Sequence, residues 1–210
     1  FALRRSALGL IRIIIENDLR ISLSDILALG NDGADIEDLK YFIHQRMKVF
    51  LRDQSLRHDL IDACLSLEEG DDLALSVKKS FALTDFIKTS DGANLIQGFK
   101  RANNILLQAE QKDGVEYSYG ADPKYAEEGV EQNLFHSLDS EEAKIKSALE
   151  REDFVDAMNS MANLRAPIDS FFETVQINSD VDIIRRNRLN LLSRICKLCL
   201  SVADLTKVEG

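Results

Sequence analysis

The stretch that decides the fold is SDGANLIQGFKRANNILLQAEQ, which runs from Ser90 to Gln111. Ser90 and Asp91 are residue types that cap helix N-termini, so the spacing predicts a helix from about Ala93 to Gln111. Its apolar row recurs every three or four residues and consists of Leu95, Phe99, Ala102 and Leu106. Such a row is typical of a helix that buries one face. The segment therefore predicts a long amphipathic helix.

Helical periodicity continues on both sides of this segment. A β-sandwich or barrel needs a turn about every 8–12 residues, and only 2 prolines and 10 glycines are present in 210 residues. The other predicted helices span residues 2–17, 24–29, 36–54, 58–67, 71–87, 131–138, 140–151, 154–175 and 182–204. Ser24 is the predicted cap of the helix 24–29, which is expected to end at Gly30 and a loop of residues 31–33. We expect Pro167 to kink the helix 154–175 or to break it after Arg165. The sequence thus predicts an all-α protein whose two lobes meet near Ser90.

Composition and charge exclude several classes of protein. Hydrophobic residues make up 45% and charged residues 30% of the chain, as in ordinary globular proteins. The net charge of -10 argues against a protein that coats nucleic acid without selectivity. No stretch approaches the roughly 20 apolar residues of a membrane span. Three cysteines cannot build a disulfide framework and indicate the reducing cytoplasm.

Charge is unevenly distributed along the chain. Residues 61–180 carry 11 basic and 24 acidic side chains, whereas residues 181–210 carry 6 basic and 3 acidic ones. The positive charge is therefore concentrated in the last predicted helix. Because the first residue is Phe1 rather than Met, we also expect the chain to be a fragment of a longer protein.

Two short motifs resemble metal or catalytic sites. Cys196 and Cys199 have the CxxC spacing, but structural zinc needs four ligands and no second pair is present, so we predict buried core thiols. His58-Asp59 resembles the metal-binding pair of HD phosphohydrolases, and a helix cap or a surface ion pair explains it more simply. The sequence has no phosphate-binding glycine loop and no nucleophile elbow. We therefore predict no catalytic residue and no metal site in this chain.

Two polar helix faces carry groups that suit nucleic acid, because arginine forks and amides match phosphates and base edges. One face lies on the predicted helix 93–111, opposite its apolar row, and the other on the helix 182–204. A solvated surface is the common alternative for such faces. Arg188 shares a line with Ile184, Leu191 and Ile195, so it is also a candidate for pairing with a buried carboxylate. Three tyrosines of the irregular segment 113–129 could stack on unpaired bases or simply hold that segment on the core: Tyr117, Tyr119 and Tyr125.

Six stretches in the same order resemble the C-terminal region of the beta subunit of bacterial glycyl-tRNA synthetase, the two-subunit (alpha2beta2) type. They are FALRRSALGLIRI (1–13), LRDQSLRHDLIDA (51–63), GFKRANNIL (98–106), LRAPIDSFF (164–172), RNRLNLLSRI (186–195) and VADLTKVEG (202–210). The resemblance implies a helical body segment over residues 1–90 and a DALR-like domain over residues 91–210. Within the latter, residues from about 97 to 207 would form the helical anticodon-binding bundle named DALR. The last stretch resembles the family's C-terminus, so we expect the remainder of the protein to precede Phe1.

The resemblance also implies partners and a division of labour. The chain would bind glycine tRNA and assemble with a separate alpha subunit in the cytoplasm, with no role for DNA or a membrane. Glycine activation would take place on the alpha subunit, which uses ATP and Mg²⁺, so this chain would hold no cofactor. The alternatives are a helical assembly domain without anticodon reading, and a metal-dependent HD-type phosphohydrolase.

Contacts to the tRNA are a hypothesis that rests on physical grounds. Lys100, Arg101 and Asn104 would face the anticodon stem-loop from one helix, and the other candidates are Arg165, Arg186, Asn187 and Arg188. Glycine anticodons end in two invariant cytosines, whose amines donate and whose O2 and N3 accept hydrogen bonds. A carboxylate or backbone carbonyl would read the amine, and Arg or Asn the acceptors.

Overall fold

A computed structural model describes residues 2–30, 35–66, 71–127 and 129–209. In these ranges the regular structure is helical, apart from one isolated antiparallel bridge between Ser22 and Asp72. The all-α prediction is therefore confirmed. The α-helices are α1 (Ala2–Glu16), α2 (Leu23–Leu29), α3 (Ile36–Asp53), α4 (His58–Leu65), α5 (Leu73–Phe86), α6 (Ser90–Asp113), α7 (Gly129–Glu150), α8 (Phe154–Ala162), α9 (Arg165–Thr174) and α10 (Asp182–Leu200). Single 3-10 turns occur at Pro123–Tyr125 and Leu205–Lys207.

The chain forms two compact units, one of residues 1–84 and 206–210 and the other of residues 85–205. The division at residues 84 and 85 falls within α5, and the proposed boundary between domains 1–90 and 91–210 stays a prediction. None of the helices in the described part of the chain is both long and apolar enough to cross a membrane.

The first unit packs α1, α2 and α4 against α3. Its core combines aliphatic residues of these helices with the first half of α5, including Ile11, Ile14, Leu23, Met47, Leu51, Ile61 and Leu73. Asp71 fastens the start of α2, because its carboxylate accepts hydrogen bonds from Ser24 N–H (3.0 Å), Ser24 Oγ (2.7 Å) and Ser22 Oγ. The helix cap itself is Ser22, which accepts from Asp25 N–H, rather than the predicted Ser24. The predicted loop residues 31–33 and the predicted helix end at Leu67 lie outside the described residues.

Asp59 of the HD-like pair has a structural role within the first unit. Its side chain is buried and accepts hydrogen bonds from the side chain of Arg57 and, at 2.7 Å, from the backbone N–H of Glu209. Burial raises the pKa of Asp59, but the hydrogen bonds from Arg57 and Glu209 outweigh it and lower the pKa below the ordinary value. Asp59 therefore holds the residues near the end of the chain. Within the described ranges, no cluster of three or more His, Cys, Asp or Glu side chains is placed to hold a metal ion.

The second unit is a bundle of α6 to α10 in which α6 contacts α8, α9 and α10, and α7 contacts α8 and α9. The predicted apolar row of α6 is buried. Buried residues of the other helices complete the core: Leu134, Leu138, Ile145, Met158, Met161, Ile168, Phe171, Leu192 and Ile195. Cys196 and Cys199 are buried free thiols, as predicted. Burial raises the pKa of Cys196 to about 12.

Three helix boundaries differ from the predictions for physical reasons. The cap of α6 is Thr89, whose hydroxyl accepts from Gly92 N–H at 3.0 Å, one position before the predicted Ser90. Residues 131–138 and 140–151 form one helix rather than two, because the buried row of α7 continues through Leu138 and Ile145. The helix predicted over 154–175 is interrupted before Arg165 rather than after it. Pro167 thus lies in the first turn of α9, where the missing N–H costs little.

Candidate nucleic-acid interface

The polar face of α6 lies along one side of a groove that α9 completes. Gln97, Arg101 and Asn104 are exposed and Lys100 is half-buried. The groove encloses about 400 Å³ and is lined by Asn94, Gln97, Gly98, Arg101, Arg165, Asp169, Phe172 and Glu173. Two of the seven sequence-predicted residues, Arg101 and Arg165, are thus brought together in one place.

Gly98 has no side chain, which allows α6 and α9 to approach each other closely. A Cβ at this position would lie 3.2 Å from Cγ2 of Ile168, which is closer than ordinary van der Waals contact. Arg101 then reaches across the groove, and its guanidinium carbon lies 4.5 Å from the centre of the Phe172 ring. This distance is within the range of a cation–π interaction. The ring is itself fixed by an edge contact with Phe171, at 5.8 Å between centroids.

Arg165 is positioned by carboxylates of the same groove region. Its Nε lies 2.8 Å from Oδ2 of Asp169, one turn later in α9, and its Nη1 lies 3.6 Å from Oδ1 of Asp91. The side chain is 37% exposed, so part of it stays open to solvent. The groove therefore offers guanidinium and amide donors beside the carboxylate acceptors of Asp169 and Glu173.

Arg188 lies inside the bundle. It is 5% exposed and forms a two-point ion pair with Glu131, with Nε to Oε1 at 2.8 Å and Nη2 to Oε2 at 3.0 Å. Its Nη1 also donates to the carbonyl oxygen of Gln176 at 2.9 Å. The hydrogen bond to Glu131 is the main reason why the pKa of Arg188 is raised. These contacts correspond to the buried pairing that its position beside Ile184 and Leu191 indicated.

Its neighbours Asn187 and Arg186 differ from each other in exposure. Asn187 is buried, and its side-chain amide forms two hydrogen bonds with the backbone of Asp122. Its Oδ1 accepts from the N–H of Asp122 at 2.8 Å, and its Nδ2 donates to the carbonyl oxygen of Asp122 at 3.1 Å. Arg186 is exposed. Of the three consecutive candidates on α10, only Arg186 presents its side chain to solvent. No ligand tests the seven assignments, so they stay predictions as tRNA contacts.

The remaining cations of α10 are engaged within the unit or lie at its surface. Arg185 donates to Asp113 at 2.7 Å and to Tyr117 Oη at 3.3 Å. Arg194 pairs with Asp139 at 2.7 Å and with Glu142 at 2.6 Å. Lys197 is exposed. The two arginines thus fasten α10 to α6 and α7, a use of charge that neither of the two sequence interpretations included.

The tyrosines of the segment after α6 also divide between two roles. Tyr117 is buried and its hydroxyl donates to Asp113 at 2.6 Å, so it holds the segment on the bundle. Hydrogen bonds from Tyr117 and Arg185 lower the pKa of Asp113. Tyr119 is 95% exposed, and Tyr125 lies beneath the ammonium group of Lys124 at 4.8 Å.

Sequence reasoning missed the contribution of α9 to the groove. Phe172 and Asp169 were not among the candidates, although both follow Arg165 at helical spacing, at i+7 and i+4. That spacing is the signal that could have placed all three on one face of a helix. A prediction of where α9 packs was also needed, and a single sequence does not supply it.

Comparison with known proteins identifies the class to which this bundle belongs. Residues 95–209, more than half of the chain, match the model of the DALR anticodon binding domain. Residues 1–66 match the model of the glycyl-tRNA synthetase beta subunit. The fold and these matches define a helical module of the anticodon-binding class.

Curated relatives agree over the entire chain. It is 59% identical to the glycine–tRNA ligase beta subunit of Ruegeria sp. (strain TM1040), 56% to that of Paracoccus denitrificans (strain Pd 1222) and 52% to that of Dinoroseobacter shibae. Each comparison covers 100% of this chain and 31%, 31% and 34% of the respective relative. The chain thus spans about a third of the length of the relatives it matches. It belongs to the glycyl-tRNA synthetase beta subunit family and contains that family's DALR domain.

Proposed function

We propose that this chain binds glycine tRNA at the anticodon stem-loop through the groove between α6 and α9. The observation that carries the proposal is the position of Arg101 over Phe172 in a groove of mixed donors and acceptors, within the DALR-matched residues. A planar base edge needs donors and acceptors in fixed places. Such a groove is suited to reading unpaired bases.

Cytosine in particular matches the chemistry of the groove. Its exocyclic amine would donate to the carboxylate of Asp169 or Glu173, and its O2 and N3 would accept from Arg165 and from the amides of Asn94 and Gln97. Arg101 would stack on the base or contact the adjacent phosphate. Both invariant cytosines of glycine anticodons are thus candidate occupants.

The other candidates receive different roles in this proposal. Lys100, Asn104 and Arg186 would contact the ribose-phosphate backbone, since Asn104 and Arg186 are exposed and Lys100 is half-buried on the same polar face as Arg101. Asn187 and Arg188 would act indirectly, by holding the segment around Asp122 and the end of α9 in place. Backbone contacts give affinity, and base contacts give selectivity.

We further infer that the chain supports aminoacylation without a catalytic site of its own. In this proposal glycine activation, with its ATP and Mg²⁺, takes place on a separate alpha subunit in the cytoplasm, and the complex is alpha2beta2. Membership of a family named for a beta subunit supports the existence of such a partner.

The test compares two transcripts at one fixed, moderate salt concentration: glycine tRNA and the same tRNA with both anticodon cytosines replaced. We expect the 210-residue chain to prefer the unaltered tRNA. Arg101→Ala should reduce that preference by about 1–3 kcal/mol, whereas Lys100→Ala should weaken both tRNAs equally. Lys112→Ala, an exposed cation of α6 outside the groove, is the matched control. Equal binding of the two transcripts by the unmodified chain would refute anticodon reading.

A second candidate function is assembly with the alpha subunit through the first unit. The exposed apolar side chains of α1 favour it, since Leu3 is 60% and Ile13 57% exposed. Co-elution with isolated alpha subunit in size-exclusion chromatography, lost in Ile13→Glu, is the expected result. Co-elution that survives this substitution would exclude α1 as the interface.

A further inference from the structure

The carboxylate of Asp169 and the guanidinium of Arg165 lie side by side in the groove between α6 and α9. Nε of Arg165 is 2.8 Å from Oδ2 of Asp169, and the two side chains are 37% and 38% exposed. Both residues line the groove, together with the amides of Asn94 and Gln97. The groove thus presents an acceptor directly beside a donor, and both groups are partly open to a ligand.

Each member of this pair keeps hydrogen-bonding capacity for a ligand. An ionised carboxylate has two acceptor oxygens, and the ion pair with Arg165 uses Oδ2 of Asp169, which leaves Oδ1 to accept. Nη1 of Arg165 lies 3.6 Å from Oδ1 of Asp91, which is too long for a hydrogen bond. This nitrogen can therefore donate to an acceptor in the groove.

The two pyrimidine bases of RNA differ in how they fit an acceptor beside a donor. Cytosine has its N4 amine, a donor, next to the acceptor N3, whereas uracil has the acceptor O4 next to the donor N3–H. Cytosine therefore complements both members of the pair. Uracil would place a carbonyl oxygen against the carboxylate and an N–H against the guanidinium, so the groups of the groove would lose their water without gaining partners.

From this geometry we propose that Asp169 is the residue that excludes uracil from the groove. Its Oδ1 accepts from the N4 amine of one anticodon cytosine, and Arg165 donates to N3 or O2 of the same base. Glu173 also lines the groove, but it follows Arg165 by eight positions, about 12 Å along the helix axis, so the two cannot share one base edge. The inference rests on the anticodon function proposed above and adds the group that distinguishes the two pyrimidines.

The test measures binding of the 210-residue chain to three transcripts at one fixed salt concentration: glycine tRNA and two variants, each with one anticodon cytosine replaced by uracil. We expect the unmodified chain to bind one uracil variant at least about tenfold more weakly than glycine tRNA. Asp169→Asn should reduce this ratio to about twofold or less, because an amide can accept from an amine or donate to a carbonyl. Glu173→Gln removes the same charge from the same groove and should keep the full ratio, so it is the matched control.

The uracil variant also separates reading of the base from mere positioning of Arg165. Asp169→Asn should bind that transcript more tightly than Glu173→Gln does, a gain that the loss of an anchor for Arg165 would not produce; a reduced ratio without this gain would overturn the assignment. Equal binding of all three transcripts by the unmodified chain would overturn the anticodon function and this inference together. A preference for cytosine that persists in Asp169→Asn would overturn only the role of Asp169 and leave anticodon reading in place.

Discussion

Replacing Arg188 by alanine distinguishes a structural arginine from a tRNA contact. Glu131 is 1% exposed and relies on Arg188 for both of its charged hydrogen bonds. Removing one partner of a buried ion pair typically costs about 3–5 kcal/mol, because the other charge stays buried and unpaired. We therefore expect Arg188→Ala to lower the free energy of unfolding by about this amount. That is a large part of the roughly 5–15 kcal/mol that stabilises a typical domain.

Urea denaturation followed by far-UV circular dichroism measures this change. Arg186→Ala is the matched control, because this exposed neighbour should alter the free energy of unfolding by no more than about 0.5 kcal/mol. Arg188→Lys should recover only part of the loss, since an ammonium group cannot reproduce the two-point pairing. In the combined Arg188→Met, Glu131→Leu variant most of the stability should return, because no charge is then left unpaired.

The opposite pattern would refute the structural role of Arg188. In that pattern the free energy of unfolding of Arg188→Ala lies within about 0.5 kcal/mol of that of the unmodified chain, but the variant has lost tRNA affinity. Such a result would place the guanidinium at the RNA and contradict its burial against Glu131. Measuring tRNA binding well below the unfolding temperature of each variant keeps the two effects separate.

Three further predictions concern the helix ends and the charge of the chain. Asp71 has a pKa lowered to about 2, because hydrogen bonds from serine hydroxyls and an ammonium group outweigh the effect of burial; Asp71→Asn should cost about 1–3 kcal/mol at neutral pH. The difference in the free energy of unfolding between this variant and the unmodified chain should shrink as pH falls from 3.8 towards about 2, where the native carboxylate becomes protonated. A difference that does not change with pH would contradict this. Gly92→Ala should destabilise the chain by about 1–3 kcal/mol, because a Cβ would lie 2.1 Å from the carbonyl oxygen of Phe86, whereas Gly129→Ala meets no atom within 4 Å and should be neutral in denaturation experiments. The slope of log affinity for tRNA against log salt should be shallower than about -3, which corresponds to few phosphate contacts, and a slope near -8 would contradict it.

Local patterns in the sequence predicted the fold well. The apolar row of α6 needs only residues three and four positions apart, so its periodicity is visible within one segment. The same holds for α3 and α10, whose observed starts at Ile36 and Asp182 agree with the predicted starts. Helix ends were less predictable, because several polar residues could each supply a cap. Thr89 and Ser90 are neighbours with the same chemistry, and the close approach of Gly92 to Phe86 accompanies the earlier start.

The features that could not be predicted depend on contacts between residues that are far apart in the sequence. Arg188 and Glu131 are 57 residues apart, and Arg185 and Asp113 are 72 residues apart. A basic residue on a helix has the same appearance in sequence whether a distant carboxylate or solvent faces it. The apolar neighbours of Arg188 were the exception, since a charge among Ile184, Leu191 and Ile195 indicates burial with a partner. No comparable signal marked Asn187, which lies beside Arg188 and binds the backbone of a distant segment.

Because arginines of the last helix pair with carboxylates inside the bundle, selectivity for tRNA would reside elsewhere on the chain. The last helix is the most basic part of the sequence, yet Arg185, Arg188 and Arg194 neutralise carboxylates of the bundle itself. The groove between α6 and α9 instead combines Arg101 and Arg165 with acidic and amide side chains. A surface of mixed charge attracts phosphates weakly, but its paired donors and acceptors can distinguish one base edge from another. The net negative charge weakens the general attraction to any RNA, so selective binding by this chain would depend on its base contacts.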